Sequence, residues 1–309
     1  MITITSSLFY RAHKDFRKLS HRIVGHSLDP KIDVAVVTGG ASGLGREVVA
    51  LLAARGVRVA VLDVKIPSQD QCVQGTKYYQ CDVSNPDQIT STKEKINSDL
   101  GVVSVLINNA GVANGKPLLD LDYEEIDKTI QVNLLLSFYT TKVFLPAMME
   151  LNRGYIITIG SVLGYMSPAR LSAYGASKSG LVALHESLTY ELGPPLLNPH
   201  GIKTLLVCPG QMRTDLFRGV LTPSSILAPE LDPKYVAAKV VKALELGRRG
   251  EIRLPFYGNF LPVFRAVPWP VTEAARYFSG IDSSMRTFKE SISRIISREP
   301  SAVNTPTIK

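Results

Sequence analysis

The 309-residue chain is 45% hydrophobic and 20% charged, enough apolar material for one large core, and it shows no internal repeat. No uninterrupted apolar run approaches the roughly 20 residues that a membrane-spanning helix needs. Cys72, Cys81 and Cys208 form neither a metal-ligand spacing nor a disulfide framework, which suits a reducing compartment. The formal charge of +8 is uneven, and half of the excess sits in residues 1–28, where Arg11, Lys14, Arg17, Lys18 and Arg22 face Asp15 alone. A basic balance confined to one leader does not outline a nucleic-acid-binding face.

Within that leader Phe9, Ala12, Phe16, Leu19 and Ile23 recur at spacings of three and four, one stripe of a helix. A basic amphipathic segment of this kind reads as a mitochondrial presequence, a membrane-surface helix or an arm packed on the domain, and the sequence leaves all three open. From Asp33 the run D-V-A-V-V-T reads as a buried parallel strand. It ends at Thr38 and passes through Gly39, Gly40, Ser42, Gly43, Leu44 and Gly45 into a helix-forming segment, Arg46 to Ala54. A strand turning on glycines into a helix sets bare backbone N–H groups and a positive helix end beside a phosphate. A second valine-rich strand, Val57 to Leu62, ends in Asp63, eighteen residues past Gly45, where a carboxylate meets the adenosine ribose of a bound dinucleotide.

A third strand is expected over Lys77 to Cys81, running into Asp82 and Val83. Asn85-Pro86 then opens a helix to about Leu100. The fourth strand, Val102 to Ile107, ends in Asn108, Asn109, Ala110 and Gly111. A long helix from Tyr123 to Glu150 carries Asn133 in an apolar stretch, and the fifth strand, Tyr155 to Ile159, ends at Gly160-Ser161. The helix Ser172 to Leu192 holds Tyr174 and Lys178, and the sixth strand, Ile202 to Cys208, ends in Pro209-Gly210. A helix from Pro233 to Leu246 and a last strand at Glu251 to Leu254 follow. Strands alternating with helices predict an α/β fold with a doubly wound, Rossmann-type parallel sheet of about seven strands. The unusual polar motifs lie at strand carboxyl ends, where such sheets bind ligands.

Tyr174 and Lys178 are four residues apart and share one helix face. A phenol titrates near 10, too high for a base at neutrality, and a neighbouring ammonium is expected to lower it. The pair then protonates a carbonyl or deprotonates an alcohol as hydride moves to or from a nicotinamide. Ser161 is placed to hydrogen-bond the same oxygen, and Asn133 to hold a water that relays protons through Lys178.

With these residues in view, the chain resembles the short-chain dehydrogenase/reductases, which carry T-G-x-x-x-G-x-G and Y-x-x-x-K. The resemblance covers about residues 33 to 255 and implies that Ser161, Tyr174 and Lys178 are catalytic, with Asn133 completing the relay. It further implies a cofactor held by Thr38, Gly39, Ser42, Gly43, Leu44, Gly45, Asp63, Asp82, Val83, Asn109, Ala110, Gly111, Tyr174, Lys178, Pro209, Gly210, Met212 and Thr214. Met212 stands where the family has Val or Ile. Asp63 would bind both ribose hydroxyls and repel a 2′-phosphate, favouring NAD over NADP. No metal is expected.

The stretch Phe278 to Lys289 is similar to the tail of the retinol and 17β-hydroxysteroid dehydrogenase subgroup, which implies a lipophilic alcohol or ketone and contact with a membrane or lipid droplet. The subgroup's hydrophobic N-terminal anchor has no counterpart in the leader. The aromatic, acid-free stretch Leu254 to Pro270 reads as a docking surface, a substrate lid or a packed segment. The expected organisation is a leader (1–28), a dinucleotide-binding catalytic domain (29–255) and a C-terminal extension (256–309), polar and frayed from Lys289. Expected partners are a small lipophilic substrate and a second copy in a homodimer, with no nucleic acid, at an intracellular site that is cytoplasmic or associated with membrane, lipid droplet or mitochondrion. The rival reading is a membrane-associated, dinucleotide-binding scaffold without turnover.

Overall fold

The computed structural model describes residues 26–198, 200–217, 220 and 228–287. The leader before His26, with its apolar stripe, and the tail from Phe288 lie outside the described residues. Seven strands form one parallel sheet in the order β3-β2-β1-β4-β5-β6-β7. They are β1 (Val34–Thr38), β2 (Arg58–Asp63), β3 (Thr76–Gln80), β4 (Val105–Asn108), β5 (Tyr155–Ile159), β6 (Lys203–Pro209) and β7 (Gly250–Leu254). The order reverses between β1 and β4, and the chain ends leaving those strands part to form a crevice.

Helices cover both faces. On one, α1 (Gly43–Ala53) packs against α5 (Pro233–Glu245), joining Val48, Leu52, Val236, Val240 and Leu244 to the inward residues of β1 and β2. On the other, α2 (Pro86–Asp99), α3 (Tyr123–Glu150) and α4 (Ser172–Glu191) bury Ile96, Phe144, Met148 and Leu188. The strands lie between two apolar layers, so β1, β4, β5 and β6 are buried along their whole length, the pattern of an interior parallel sheet.

Local chemistry sets the helix starts. Asn85 accepts hydrogen bonds from the amides of Asp87 (3.0 Å) and Gln88 (3.2 Å), with Pro86 in the first turn of α2. At the start of α3, Glu125 reaches back to the amide of Asp122 (3.0 Å), and Asp232 caps α5 through the Lys234 amide (2.8 Å). Helix α1 begins at Gly43 rather than Arg46, because the Arg46 amide already bonds the Ser42 carbonyl (3.1 Å) and the glycine loop supplies the first turn. Strand β4 starts at Val105 rather than Val102; Val102 is 42% exposed, ahead of the ladder that begins with Val105 facing Ala35 and Tyr155.

Among the described residues one helix, α3, is long and apolar enough to cross a membrane. It packs against β4, α2 and α4, as a sheet-covering helix does. Its middle, Gln131–Leu135, widens into a π-turn. After β7 the chain makes two single-turn helices, Phe256–Asn259 and Leu261–Arg265, then α6 (Trp269–Ser279). Arg265 donates to the carbonyls of Tyr165 (3.0 Å) and Gly164 (2.7 Å), and Arg276 to that of Ser167 (3.0 Å). These bonds tie the extension to the loop between β5 and α4. The stretch Leu254 to Pro270 therefore has two faces: Tyr257, Phe260, Leu261 and Phe264 line a cleft, while Phe256 and Trp269 are 77% and 74% exposed.

Candidate active site

A cleft of about 1810 Å³ opens over the carboxyl ends of the strands. Its first half is built on the turn between β1 and α1. Gly39 has φ +62°, and a Cβ there would come 2.8 Å from the Ala110 Cα. At Gly45 a Cβ would fall 2.2 Å from the Gly39 carbonyl oxygen, so no side chain fits where the helix folds back on its own loop. Asp63, at the end of β2, accepts from the amides of Ala41 (3.1 Å) and Lys65 (3.2 Å) at the cleft wall. Asp82 accepts from the amide (2.9 Å) and hydroxyl (2.7 Å) of Ser84, which sets the turn that brings Val83 to the same wall.

Gly39, Ser42, Gly43, Leu44, Asp63, Asp82, Val83, Asn109, Ala110, Gly111, Pro209, Gly210, Met212 and Thr214 all line the cleft, as do Ser161, Tyr174 and Lys178. Three of the expected residues stand behind its wall instead. Gly45 serves the fold-back just described. Thr38 is fully buried, its hydroxyl accepting from the amides of Asn109 (2.9 Å) and Ala110 (3.1 Å). Asn133 is 1% exposed; its oxygen accepts from the Val112 amide (2.8 Å), and its nitrogen donates to the Val112 carbonyl (2.9 Å) and Ser177 Oγ (3.1 Å). The side chain expected to hold a relay water is thus committed to protein partners. The Asn109 side-chain nitrogen donates to the carbonyls of Thr38 (3.0 Å) and Gly39 (3.1 Å), holding the two loops together.

At the centre, Ser161 leaves β5, and its Oγ accepts from the Leu163 amide (3.1 Å) and donates to the Pro209 carbonyl (3.4 Å). Lys178 Nζ donates to the Ile159 carbonyl (2.9 Å) and stands 5.7 Å from the centre of the Tyr174 ring. Burial pushes the Tyr174 phenol up from its ordinary value, opposed by a hydrogen bond with Ser161 and helped by the Cys208 thiol. Burial brings the Lys178 ammonium down to about 8. The expected lowering of the phenol by the neighbouring ammonium is not seen here: burial sets the direction for both groups.

The second half of the cleft is apolar. Leu163, Met166, Leu216, Phe217, Phe260 and Phe264 face it, and Phe217 meets Tyr174 edge-to-face at 5.4 Å. Phe260 and Phe264 lie in the aromatic stretch that the sequence singled out with a substrate lid among its readings; Leu163, Met166, Leu216 and Phe217 went unnoticed, because they come from irregular segments with no period to follow.

The Thr214 hydroxyl is buried without a hydrogen-bond partner, and its methyl would lie 3.6 Å from a Cβ on Gly43. An orphaned hydroxyl over a side-chain-free cradle fits a polar group seated on the glycine turn, and a dinucleotide supplies one.

Residues 33–223 match the short chain dehydrogenase family. An uncharacterized oxidoreductase of Saccharomyces cerevisiae is 37% identical over 270 residues, covering 86% of this chain and 88% of its own. Retinol dehydrogenase 10 of Homo sapiens is 35% identical over 245 residues, 68% of this chain and 71% of the other. Among solved structures, the alcohol dehydrogenase of the archaeon Thermococcus sibiricus, complexed with 5-hydroxy-NADP, superposes with a TM-score of 0.61 at 25% identity, over 72% of this chain and 95% of that one. With the doubly wound sheet and one strand-end cleft already described, these matches make the chain a member of the short-chain dehydrogenase/reductase family of oxidoreductases.

Proposed function

We propose that the protein interconverts a lipophilic alcohol and its ketone or aldehyde, with NAD(H) preferred over NADP(H). The observation that carries this reading is the meeting of Ser161, Tyr174 and Lys178 in one cleft whose far half is apolar. Gly39, Gly43 and Thr214 would hold the pyrophosphate side of the cofactor, and Asp63 its adenosine ribose. When bound, the nicotinamide supplies or takes up the hydride.

Tyr174 gives the proton to the carbonyl oxygen in reduction and removes it from the alcohol in oxidation. Ser161 hydrogen-bonds the same oxygen and holds it at the phenol. Lys178, fixed by the Ile159 carbonyl, directs its remaining N–H groups towards the phenol and the cofactor ribose. Thr38, Asn109 and Asn133 keep the two loops around this centre in place. The similarity to a retinol dehydrogenase supports a lipophilic substrate, as does the apolar far half. Exposed Phe256 and Trp269 in the extension, with exposed Phe278 on the cleft rim, support peripheral contact with a lipid surface as the route of delivery.

The test is oxidation of NADH and of NADPH against retinoids, steroids and acyl ketones, by wild type and by Tyr174→Phe. The expected result is turnover of a lipophilic carbonyl, faster with NADH, and its near-complete loss in a folded Tyr174→Phe protein that still binds NADH. Wild-type turnover in that variant would remove the phenol from the chemistry and leave the scaffold reading in front.

A further inference from the structure

The single-turn helix Phe256–Asn259 brings one polar group to the apolar half of the cleft, the hydroxyl of Tyr257. The turn packs directly on the segment that follows Ser161: a Cβ on Gly258 would come 2.9 Å from Val162 Cγ1. The Tyr257 ring joins Val162 and Leu261 in a small apolar cluster. Its hydroxyl crosses to the end of β6, where it would lie 2.8 Å from a Cβ on Gly210, a distance that only glycine permits. Gly210 follows Pro209, whose carbonyl receives the Ser161 hydroxyl, so the Tyr257 oxygen is a near neighbour of the reacting centre.

Among the described residues this hydroxyl has no hydrogen-bond partner, and burial raises its pKa, so it stays a neutral donor. The packing of the ring needs only a phenylalanine. A half-buried phenol facing a ligand cleft without a protein partner is costly unless the ligand satisfies it. Tyr155 also lacks a partner for its hydroxyl, but it is sealed in the core, whereas Tyr257 lines the cleft. Its position makes the difference.

We propose that Tyr257 is a substrate-recognition residue, whose hydroxyl donates a hydrogen bond to a second oxygen of the substrate close to the reacting carbon. The proposal rests on the oxidoreductase reading and narrows its substrate class to lipophilic ketones and alcohols bearing a neighbouring oxygen. Tyr257 takes no part in proton transfer.

The experiment compares wild type and Tyr257→Phe on decan-2-one and decane-2,3-dione with NADH, together with NADH titration and thermal melting of each unliganded protein. Removing one neutral hydrogen bond should lower kcat/KM on the dione about five- to tenfold, mostly through KM, and leave the monoketone nearly unchanged. Comparing the two proteins cancels the greater intrinsic reactivity of the dione. NADH affinity should not change, and the melting temperature should hold or rise because the hydroxyl supports nothing in the fold. An equal loss on both ketones, weaker NADH binding or a melting point lower by several degrees would each overturn the assignment. Absence of turnover of both ketones by wild type overturns the substrate class. Equal effects on the two ketones, with Tyr174→Phe still inactive, refute the role of Tyr257 alone and leave the oxidoreductase reading intact.

Discussion

Replacing Thr38 by valine should show how much of the cofactor site rests on a group that never faces the cleft. The substitution keeps the shape of the side chain and removes its hydroxyl oxygen. In the native protein that oxygen accepts from the amides of Asn109 (2.9 Å) and Ala110 (3.1 Å) in a fully buried position. Its own donation to the Ile107 carbonyl, at 3.5 Å, is at the limit of a hydrogen bond and contributes little. Two amides lose their acceptor. Each buried donor left unpaired costs about 1–3 kcal/mol, and because the two share one acceptor the sum should fall near 2–4 kcal/mol. For a chain of this size that lowers the melting temperature by about 3–6 °C.

Ala110 buttresses the Gly39 turn, so a loosened loop should also weaken NADH binding, by about tenfold for each 1.4 kcal/mol transmitted. Differential scanning calorimetry and NADH fluorescence titration read the two effects. Thr38→Ser keeps the oxygen and should recover most of both. If Thr38→Val melts within about 1 °C of wild type, or if the Ser and Val variants are equally impaired, the hydroxyl is not what holds the loops together.

Asp63→Ala should narrow the preference for NADH over NADPH by removing a ribose acceptor and a charge that repels a 2′-phosphate; an unchanged ratio of the two dissociation constants would remove Asp63 from cofactor choice. Burial brings His185 down to about 4, and it is only 8% exposed. The unfolded chain takes up that proton near pH 6.5, so stability is intact above that value and is lost by up to about 3 kcal/mol as pH falls towards 4. Melting curves of His185→Leu should show a shallower acid slope than wild type, and parallel slopes would refute the assignment. Lys178, lowered to about 8 by burial, should impose an alkaline limb on kcat/KM for carbonyl reduction, level below that pH and falling above it. A profile flat through about pH 9.5 would contradict this.

The sheet was legible because runs rich in valine or isoleucine, ending in Thr38, Asp63, Asn108 and Ser161, are separated by segments long enough for crossover helices. The glycine turn and the four-residue step from Tyr174 to Lys178 are local patterns, and local patterns survive without coordinates. The pairing of Thr38 with Asn109 and Ala110 is not local. It links residues about seventy apart, and both side chains looked equally available to a cofactor until β1 and β4 became neighbours. Asn133 was recognised as a buried amide needing partners, but its partners, Val112 and Ser177, depend on how α4 lies against the π-turn of α3. The apolar wall of the cleft was least legible. Tyr257, Phe260 and Phe264 sit in single-turn helices whose orientation is fixed by Arg265 and Arg276 gripping a distant loop.

The electrostatics of Tyr174 and Lys178 show why residue spacing alone does not give a working state. Spacing suggested an ammonium drawing down a phenol, but both groups are almost fully buried, and desolvation penalises the charged form of each. The phenol rises, the ammonium falls to about 8, and the lysine gives up its proton first. Around neutrality that pair is a protonated phenol beside a charged lysine, which is the state needed to donate a proton to a carbonyl. Working as a base towards an alcohol requires the opposite state of the phenol, and the Ser161 hydrogen bond is the contribution on the protein side that favours it. Burial is what raises the phenol, and Phe217, packed edge-to-face on the Tyr174 ring, is part of the apolar wall that buries it. Exclusion of water from the far half of the cleft thus both leaves an apolar wall beside the ring and keeps the phenol protonated at neutrality.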